Sequence, residues 1–135
     1  MTANSTSRPT GFRKVLVTGF GFIGRHVICE LRTLGIDVSV LDHRLDLGAA
    51  EEFGAGAVLG DVRDADLLTS VVPNYDGVIH LAGLLGTSEL IENPAAAINA
   101  NLLGAVNVFQ ACRWAGRLGR RIPCVHITAA NHFMD

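Results

Sequence analysis

The chain predicts an α/β fold, a doubly wound parallel sheet, and three observations carry that prediction. Aliphatic runs of strand length alternate with segments of helical period along nearly all of the 135 residues. Such alternation builds parallel sheets with right-handed crossovers. The first junction from run to helix is Gly19-Phe20-Gly21-Phe22-Ile23-Gly24, with its glycines spaced G-x-G-x-x-G. Asp42, Asp61 and Gly83 each stand at or just past the C-terminal end of a later run, where open α/β sheets collect ligands.

Composition narrows the alternatives. Hydrophobic residues make up 49% and charged residues 18% of the chain, the balance of a globular domain and not of a membrane-spanning one. The formal net charge is −2, and no nucleic-acid partner is predicted. The cluster Arg113, Arg117, Arg120 and Arg121 reads as the solvated end of a late helix, where positive charge suits the dipole. Residues 1–12 are polar and read as a flexible tail instead of a signal peptide, leaving 13–135 as the domain. Cys29, Cys112 and Cys124 lie in apolar patterns without C-x-x-C spacing, so they read as reduced core cysteines of a cytoplasmic protein. The only lysine is Lys14 and the only tyrosine is Tyr75, so a device needing Tyr and Lys on one helix cannot be built from these residues.

Arg13–Thr18 is the first strand, its continuous aliphatic interior suited to burial on both faces. In the turn that follows, Gly19 allows the tight bend, Gly21 lets the backbone approach a pyrophosphate, and Gly24 lets helix and strand pack closely. Phe22–Leu34 is the first helix, with Ile23, Val27, Ile28, Leu31 and Leu34 at helical spacing and Gly35 as its C-terminal cap. The free amides of its first turn, from Phe22 and Ile23 onward, face the negative charge. Val38–Leu41 is the second strand, and Asp42 ends it 18 positions beyond Gly24, close to the dinucleotide fingerprint. A carboxylate there accepts both ribose hydroxyls and repels a 2′-phosphate, which favours NAD over NADP. Arg44, just beyond His43, could pair with a 2′-phosphate and moderates that preference. The plain alternative for Asp42 is a polar strand end.

Leu45–Phe53 reads as a short helix and Ala57–Leu59 as the third strand, running into Gly60-Asp61-Val62-Arg63-Asp64. Ala65–Val71 is a helix capped by Asp64. Asp61 by itself fits turn chemistry as well as ligand contact. After a break at Pro73-Asn74, Asp76–Ala82 is the fourth strand, with His80 inside it and Gly83 following. A histidine in a buried strand is more often a hydrogen-bonded core residue than a base, and no second ligand at metal spacing accompanies it. Asn93-Pro94 opens the longest helix as N-cap and first helical residue. Its apolar stripe is Ile98, Leu102, Ala105, Phe109 and Cys112, with Asn101 on or beside it as an amide that needs a partner. Gly116 and Gly119 close this helix, and Ile122–Ile127 is the fifth strand. A crossover between the third and fourth strands carries the chain back past the first, which gives strand order 3-2-1-4-5 and a Rossmann-type sheet.

With these elements placed, the chain resembles the extended short-chain dehydrogenase/reductase family, in particular its NAD-dependent epimerase/dehydratase group, which acts on nucleotide sugars. The likeness runs from about Lys14 to about Thr128. Val17–His26 is similar to the opening V-T-G-G-x-G-F-I-G-x-H, and Gly60–Asp64 to G-D-[IV]-R-D. His80-Leu81-Ala82-Gly83 is similar to H-L-A-A, and Asn101-Leu102-Leu103-Gly104 to N-V-x-G-T. The resemblance implies that Asp61 and Val62 hold the adenine. It also implies that Leu81, Ala82 and Gly83 flank the cofactor and that Asn101 supports the hydrogen-bond network of the active site. NAD is the implied cofactor, and the implied oxidoreductase chemistry is reversible hydride transfer between a sugar carbon and nicotinamide.

The chain departs from the family pattern in three places. Its glycine motif is one residue shorter than G-x-x-G-x-x-G. Where the family has a serine-rich segment after the fifth strand, this chain has Ile127-Thr128-Ala129-Ala130, so the catalytic hydroxyl is either supplied by Thr128 or replaced by Ala129. The Y-x-x-x-K helix, whose Tyr is the family's general acid/base, is absent, and a free Tyr with pKa about 10 is a poor base at neutral pH. The expectation is therefore the cofactor-binding part of an epimerase/dehydratase-like enzyme, lacking the later strands and the substrate domain and inactive alone. A nucleotide-sugar substrate is expected only with the remaining part. The open sheet edge and apolar surface predict a second copy or a partner subunit. The alternative is a short non-catalytic module that binds NAD(H) or pairs with another subunit.

Overall fold

The computed structural model of the chain describes residues 11–84 and 87–127. Five parallel strands, β1 (Lys14–Thr18), β2 (Asp37–Asp42), β3 (Gly56–Leu59), β4 (Gly77–His80) and β5 (Cys124–His126), stand in the order β3-β2-β1-β4-β5. The chain links the first four through α1 (Phe22–Thr33), α2 (Leu47–Glu52) and α3 (Ala65–Val71). Between β4 and β5 lie α4 (Thr87–Glu92), α5 (Pro94–Ile98) and α6 (Gly104–Arg117). Connections leave β1 and β4 in opposite directions, so a crevice opens above the C-terminal ends of those two strands.

β1 shows why the aliphatic run is continuous. Successive strand side chains alternate between faces. Val15 and Val17 pack with Ile28, Val38, Val40 and Ala50 on one side of the sheet, while Leu16 packs with Leu41, Leu68, Val108 and Ala111 on the other. Both faces are covered, and no polar residue fits between them except where it finds a partner.

The helix starts divide into two kinds. Asp46, Asp64 and Asn93 each accept a hydrogen bond from a first-turn amide, those of Ala49, Leu67 and Ala96, at 3.0–3.1 Å. Each such cap contributes about 1 kcal/mol. α1 begins at Gly21 with no side-chain cap. That start lies just past the C-terminal end of β1, whereas α6, also without a side-chain cap, continues directly from the helical turn before it.

Several sequence expectations are corrected. β4 ends at His80 instead of Ala82, because the Ala82 amide turns to the Thr18 hydroxyl. β5 is three residues long; among the described residues it pairs with β4 alone, and it follows Pro123, which lacks an N–H. α4 carries no clear apolar period and went unforeseen. The longest helix is not continuous: a π-helical turn, Asn99–Leu103, separates α5 from α6. The extra residue shifts the helical phase, so the buried face is Ala97, Ala105, Val108, Ala111, Cys112 and Ala115. Ile98 and Leu102 of the expected stripe are instead 58% and 63% exposed, and Phe109 is also exposed. Ile23 and Leu34, at the two ends of the apolar row of α1, are exposed as well. Cys29 is not in the core; it stands one residue round the helix from buried Ile28 and faces solvent. Arg120 is not merely solvated, since it donates to Tyr75 O at 3.3 Å and Asp76 Oδ1 at 3.2 Å.

Among the described residues, Pro94–Arg117 is long and apolar enough to cross a membrane by length and composition, with 24 residues and mean hydropathy 1.2. Its small side chains Ala105, Ala111 and Ala115 are buried within the domain.

Candidate functional site

The turn after β1 is built for close approach. Gly19 has φ +96°, and a Cβ there would lie 2.8 Å from Ala82 N. Its amide donates to Leu41 O at 2.8 Å, which ties the turn to β2. Gly24 faces the carbonyl oxygen of Gly19 in the space a side chain would need. Gly21 has nothing beside its Cα on the open side, and Phe22, 80% exposed, and Ile23 flank it. The first-turn amides of α1 thus emerge at an uncapped helix start, a local arrangement that favours an anion. Beneath the loop Phe20 is buried edge-on against Phe53, ring centres 5.7 Å apart, with the Arg25 guanidinium 4.6 Å from the Phe20 ring centre.

Asp42 braces this loop. Its Oδ2 accepts from Phe20 N at 2.8 Å and its Oδ1 from Arg44 N at 2.9 Å, with His43 Nδ1 3.3 Å from Oδ1. A carboxylate has about four acceptor sites, so two backbone donors leave room for hydroxyl groups. His43 and Arg44 are exposed beside it.

Asp61, past the end of β3, is gripped by Arg63. Arg63 Nε lies 3.0 Å from both carboxylate oxygens, and a terminal nitrogen lies 2.6 Å from Oδ2. The Arg63 side-chain hydrogen bond holds the Asp61 carboxyl below the usual range. Val62 is buried, and Asn107 of α6 donates to both Val62 O and Arg63 O at 3.1 Å. The Asp61 turn is therefore pinned from below by a residue 45 positions away.

The far wall of the crevice is Leu81, Ala82 and Gly83. His80 Nδ1 lies 2.6 Å from Thr18 Oγ1, and the Ala82 amide donates to the same hydroxyl at 3.4 Å. Burial first, and His126 second, push the His80 pKa down to about 4, so the ring is neutral at pH 7. Its Nε2 is buried without a partner among the described residues, and the ring stacks on His126 with centres 5.0 Å apart. Asn101, from the π-helical turn, accepts from Leu84 N at 2.7 Å and donates to Leu84 O at 2.9 Å. Its Oδ1 would be 2.9 Å from a Cβ on Gly83.

The structure thus gathers Gly19–Gly24, Asp42–Arg44 and Leu81–Gly83 at the C-terminal ends of β2, β1 and β4. Asp61 and Val62 lie beyond β3, joined to this edge through the Gly60 amide on Asp42 O at 3.1 Å. Asn101 does not join them directly; it acts on the backbone of Leu84. Thr128 lies outside the described residues. Tyr75 and Lys14 stand at the opposite edge of the sheet, where Lys14 Nζ is 4.9 Å from the Tyr75 ring centre. Thr18, Phe20, Arg63 and Asn107 were missed as parts of the site's frame. Asn107 carried a signal, a polar residue within an apolar helix stripe; Thr18 carried none, since its partner is 62 residues away.

A family model described as the NAD dependent epimerase/dehydratase family matches residues 15–127. The chain is 34% identical over 113 residues to a bifunctional UDP-glucose 4-epimerase and UDP-xylose 4-epimerase of Pisum sativum, covering 73% of this chain and 32% of that protein. It is 36% identical over 115 residues to UDP-glucuronate 4-epimerase 3 of Arabidopsis thaliana, covering 75% of this chain and 26% of that protein. Among solved structures, UDP-glucose-4-epimerase from Stenotrophomonas maltophila, with bound NAD and formylated UDP-arabinopyranose, matches with TM-score 0.72 and 29% identity over 77% of this chain and 34% of that one. The UDP-glucose 4-epimerase of Thermus thermophilus, in complex with NAD, matches with TM-score 0.67 and 32% identity over 76% of this chain and 34% of that one. The chain spans about a third or less of the length of the curated relatives it matches.

Proposed function

The chain belongs to the NAD dependent epimerase/dehydratase family, and from that premise we propose that residues 13–135 are the NAD-holding part of a nucleotide-sugar epimerase-like enzyme. The observation that carries this reading is the uncapped start of α1 beside a braced but unsaturated Asp42. The residues present fit a dinucleotide. The first-turn amides of Phe22, Ile23 and Gly24 would hold the pyrophosphate, and Asp42 the adenosine ribose, with His43 and Arg44 at its rim. Asp61 and Val62 would flank the adenine, and Leu81, Ala82 and Gly83 would line the path toward the nicotinamide. NAD, when bound, supplies a hydride acceptor and donor for a sugar carbon.

The chain's own contribution is binding and orientation. The Thr18–His80 pair fixes the Ala82 backbone against Gly19, which sets the width of the crevice. Arg63 and Asn107 hold the Asp61 turn in place, and Asn101 holds the segment after Gly83. Asp42 favours NAD over NADP because a 2′-phosphate would meet a carboxylate. Thr128 is assigned the substrate-facing hydroxyl on the sequence resemblance, and the substrate is a UDP-sugar by likeness to the relatives. The compartment assigned is the cytoplasm.

A second reading, a non-catalytic NAD(H)-binding module, is favoured by one observation: Lys14 and Tyr75 lie at the wrong edge of the sheet to act as an acid/base pair. Isothermal titration calorimetry tests the shared part. The expected result is NAD binding that Asp42→Ala weakens by about tenfold or more; absence of NAD binding by the folded chain overturns both readings. A Tyr-x-x-x-Lys segment in the same reading frame beyond Asp135 would remove the second reading. Turnover of UDP-glucose by these 135 residues alone would overturn both assignments of the catalytic chemistry.

A further inference from the structure

The Asp61 carboxylate is turned onto its own loop. Oδ1 accepts from the Arg63 amide at 2.8 Å and from Arg63 Nε at 3.0 Å. Oδ2 accepts from the same Nε at 3.0 Å and from a terminal nitrogen of Arg63 at 2.6 Å. Both oxygens are thus doubly contacted by a single residue, and a carboxylate has about four acceptor sites in all. Asp42, the other carboxylate of this edge, differs: each of its oxygens accepts from one backbone amide. Asp42 has acceptor sites left for a ligand, and Asp61 has them filled.

The filling is fixed by the backbone around it. The Asp64 amide donates to Asp61 O at 3.0 Å, and Asn107 donates to the carbonyls of Val62 and Arg63 at 3.1 Å. The Arg63 amide cannot swing off Oδ1 without breaking those bonds. The guanidinium adds charge-assisted bonds, about twice as strong as neutral ones. Its side-chain hydrogen bond is the leading cause that holds the Asp61 carboxyl below the usual range, so the pair stays ionised. A neutral amino group arriving on a ligand would have to displace a cation, exchanging a stronger bond for a weaker one.

Adenine and hypoxanthine differ at position 6, where an amino group donates in one and a carbonyl oxygen accepts in the other. A carboxylate separates them only by accepting from that amino group. We propose, on the reading that this edge holds NAD, that Arg63 is a specificity-determining residue that occupies Asp61 and keeps it from reading the 6-amino group. Asp61 then anchors Arg63 and shapes the turn at Val62, and the base is held by contacts other than this carboxylate. Without the guanidinium, Oδ2 is free: it accepts from an amino group and repels a carbonyl oxygen.

Calorimetric titration of NAD and of its hypoxanthine analogue, on the unsubstituted chain, on Asp61→Ala and on Arg63→Leu, tests the assignment. The analogue also carries a proton on N1. The quantity read is therefore the NAD-to-analogue affinity ratio of each variant divided by that of the unsubstituted chain, in which the N1 contribution cancels. Asp61→Ala is expected to leave the ratio within about threefold. Arg63→Leu is expected to raise it by about tenfold, the worth of one hydrogen bond to a charged acceptor. A ratio that falls by more than about threefold in Asp61→Ala means that the carboxylate reads the amino group, and overturns the proposal. A ratio that does not rise beyond about threefold in Arg63→Leu means that Arg63 masks nothing, and overturns it as well. Each variant is decisive alone should the other fail to fold. Failure of the folded, unsubstituted chain to bind NAD is a separate outcome, which overturns the NAD-holding reading and the proposal with it.

Discussion

Gly19 and His80 stand at the C-terminal ends of the paired strands β1 and β4, and each makes a different demand on its position. At Gly19 the backbone lies in the left-handed region and the missing side chain is replaced by Ala82 N. Gly19→Ala is expected to cost about 1–3 kcal/mol through strain and displaced backbone, measured as a lower midpoint in urea unfolding. His80 makes stability depend on pH. Its folded pKa is about 4 against an ordinary 6.5, so between those values the unfolded chain binds the extra proton. Stability should be full above pH 6.5 and fall by up to about 3 kcal/mol as pH drops toward 4. His80→Gln should flatten that part of a urea-midpoint profile. Asp76, held low by the amides of Arg13 and Lys14, and Asp61, held low by Arg63, act in a separate window. Their contribution is present above the ordinary 3.8 and is lost as pH falls below it.

At the scale of elements, the interrupted helix before β5 carries most of the site's support. Asn101 leaves the π-helical turn for Leu84, and Asn107 leaves α6 for Val62 and Arg63. One helix therefore braces two of the loops at the ligand edge. Asn107→Ala removes a buried donor from two carbonyls and is expected to cost about 1–3 kcal/mol. Hydrogen exchange should then rise at residues 61–64 before it rises in β1. Asn101→Ala should raise exchange at the Leu84 amide and leave the Asp61 turn protected. Equal loss of protection throughout would show that the two amides serve global stability alone. The helix starts at Asp64 and Asn93-Pro94 were legible in the sequence, because caps are short-range signals. The phase shift after Asn99 was not, since a π-helical turn changes which residues face the sheet without changing composition.

For the molecule as a whole, the exposed apolar side chains Ile98, Leu102 and Leu103 concentrate along that helical run. Clusters of this kind mark interaction surfaces. The chain is expected to self-associate with rising concentration in sedimentation velocity. Ile98→Glu with Leu102→Glu should shift it toward monomer without lowering the unfolding midpoint, because neither side chain lies in the buried core. The order β3-β2-β1-β4-β5 followed from element alternation and the handedness of crossovers. The ligand edge followed from that order together with the glycine turn and Asp42.

By itself, then, the sequence determined the fold class, the strand order, the capped helix starts at Asp64 and Asn93, and the standing of the glycine turn and Asp42 at the C-terminal ends of β1 and β2. All of these rest on local rules: alternation, capping chemistry, and the need for glycine where backbone meets backbone. Tertiary structure alone decided that Thr18 and His80 share a hydrogen bond, that Asn107 pins the Asp61 turn, and that Cys112 and Cys124 pack into one cluster while Cys29 stands apart. Each of the three pairings joins residues from different elements of the sheet and its helices. Sequence spacing reports neighbours along one helix face or one strand, but it is silent on which side chains a crossover brings together.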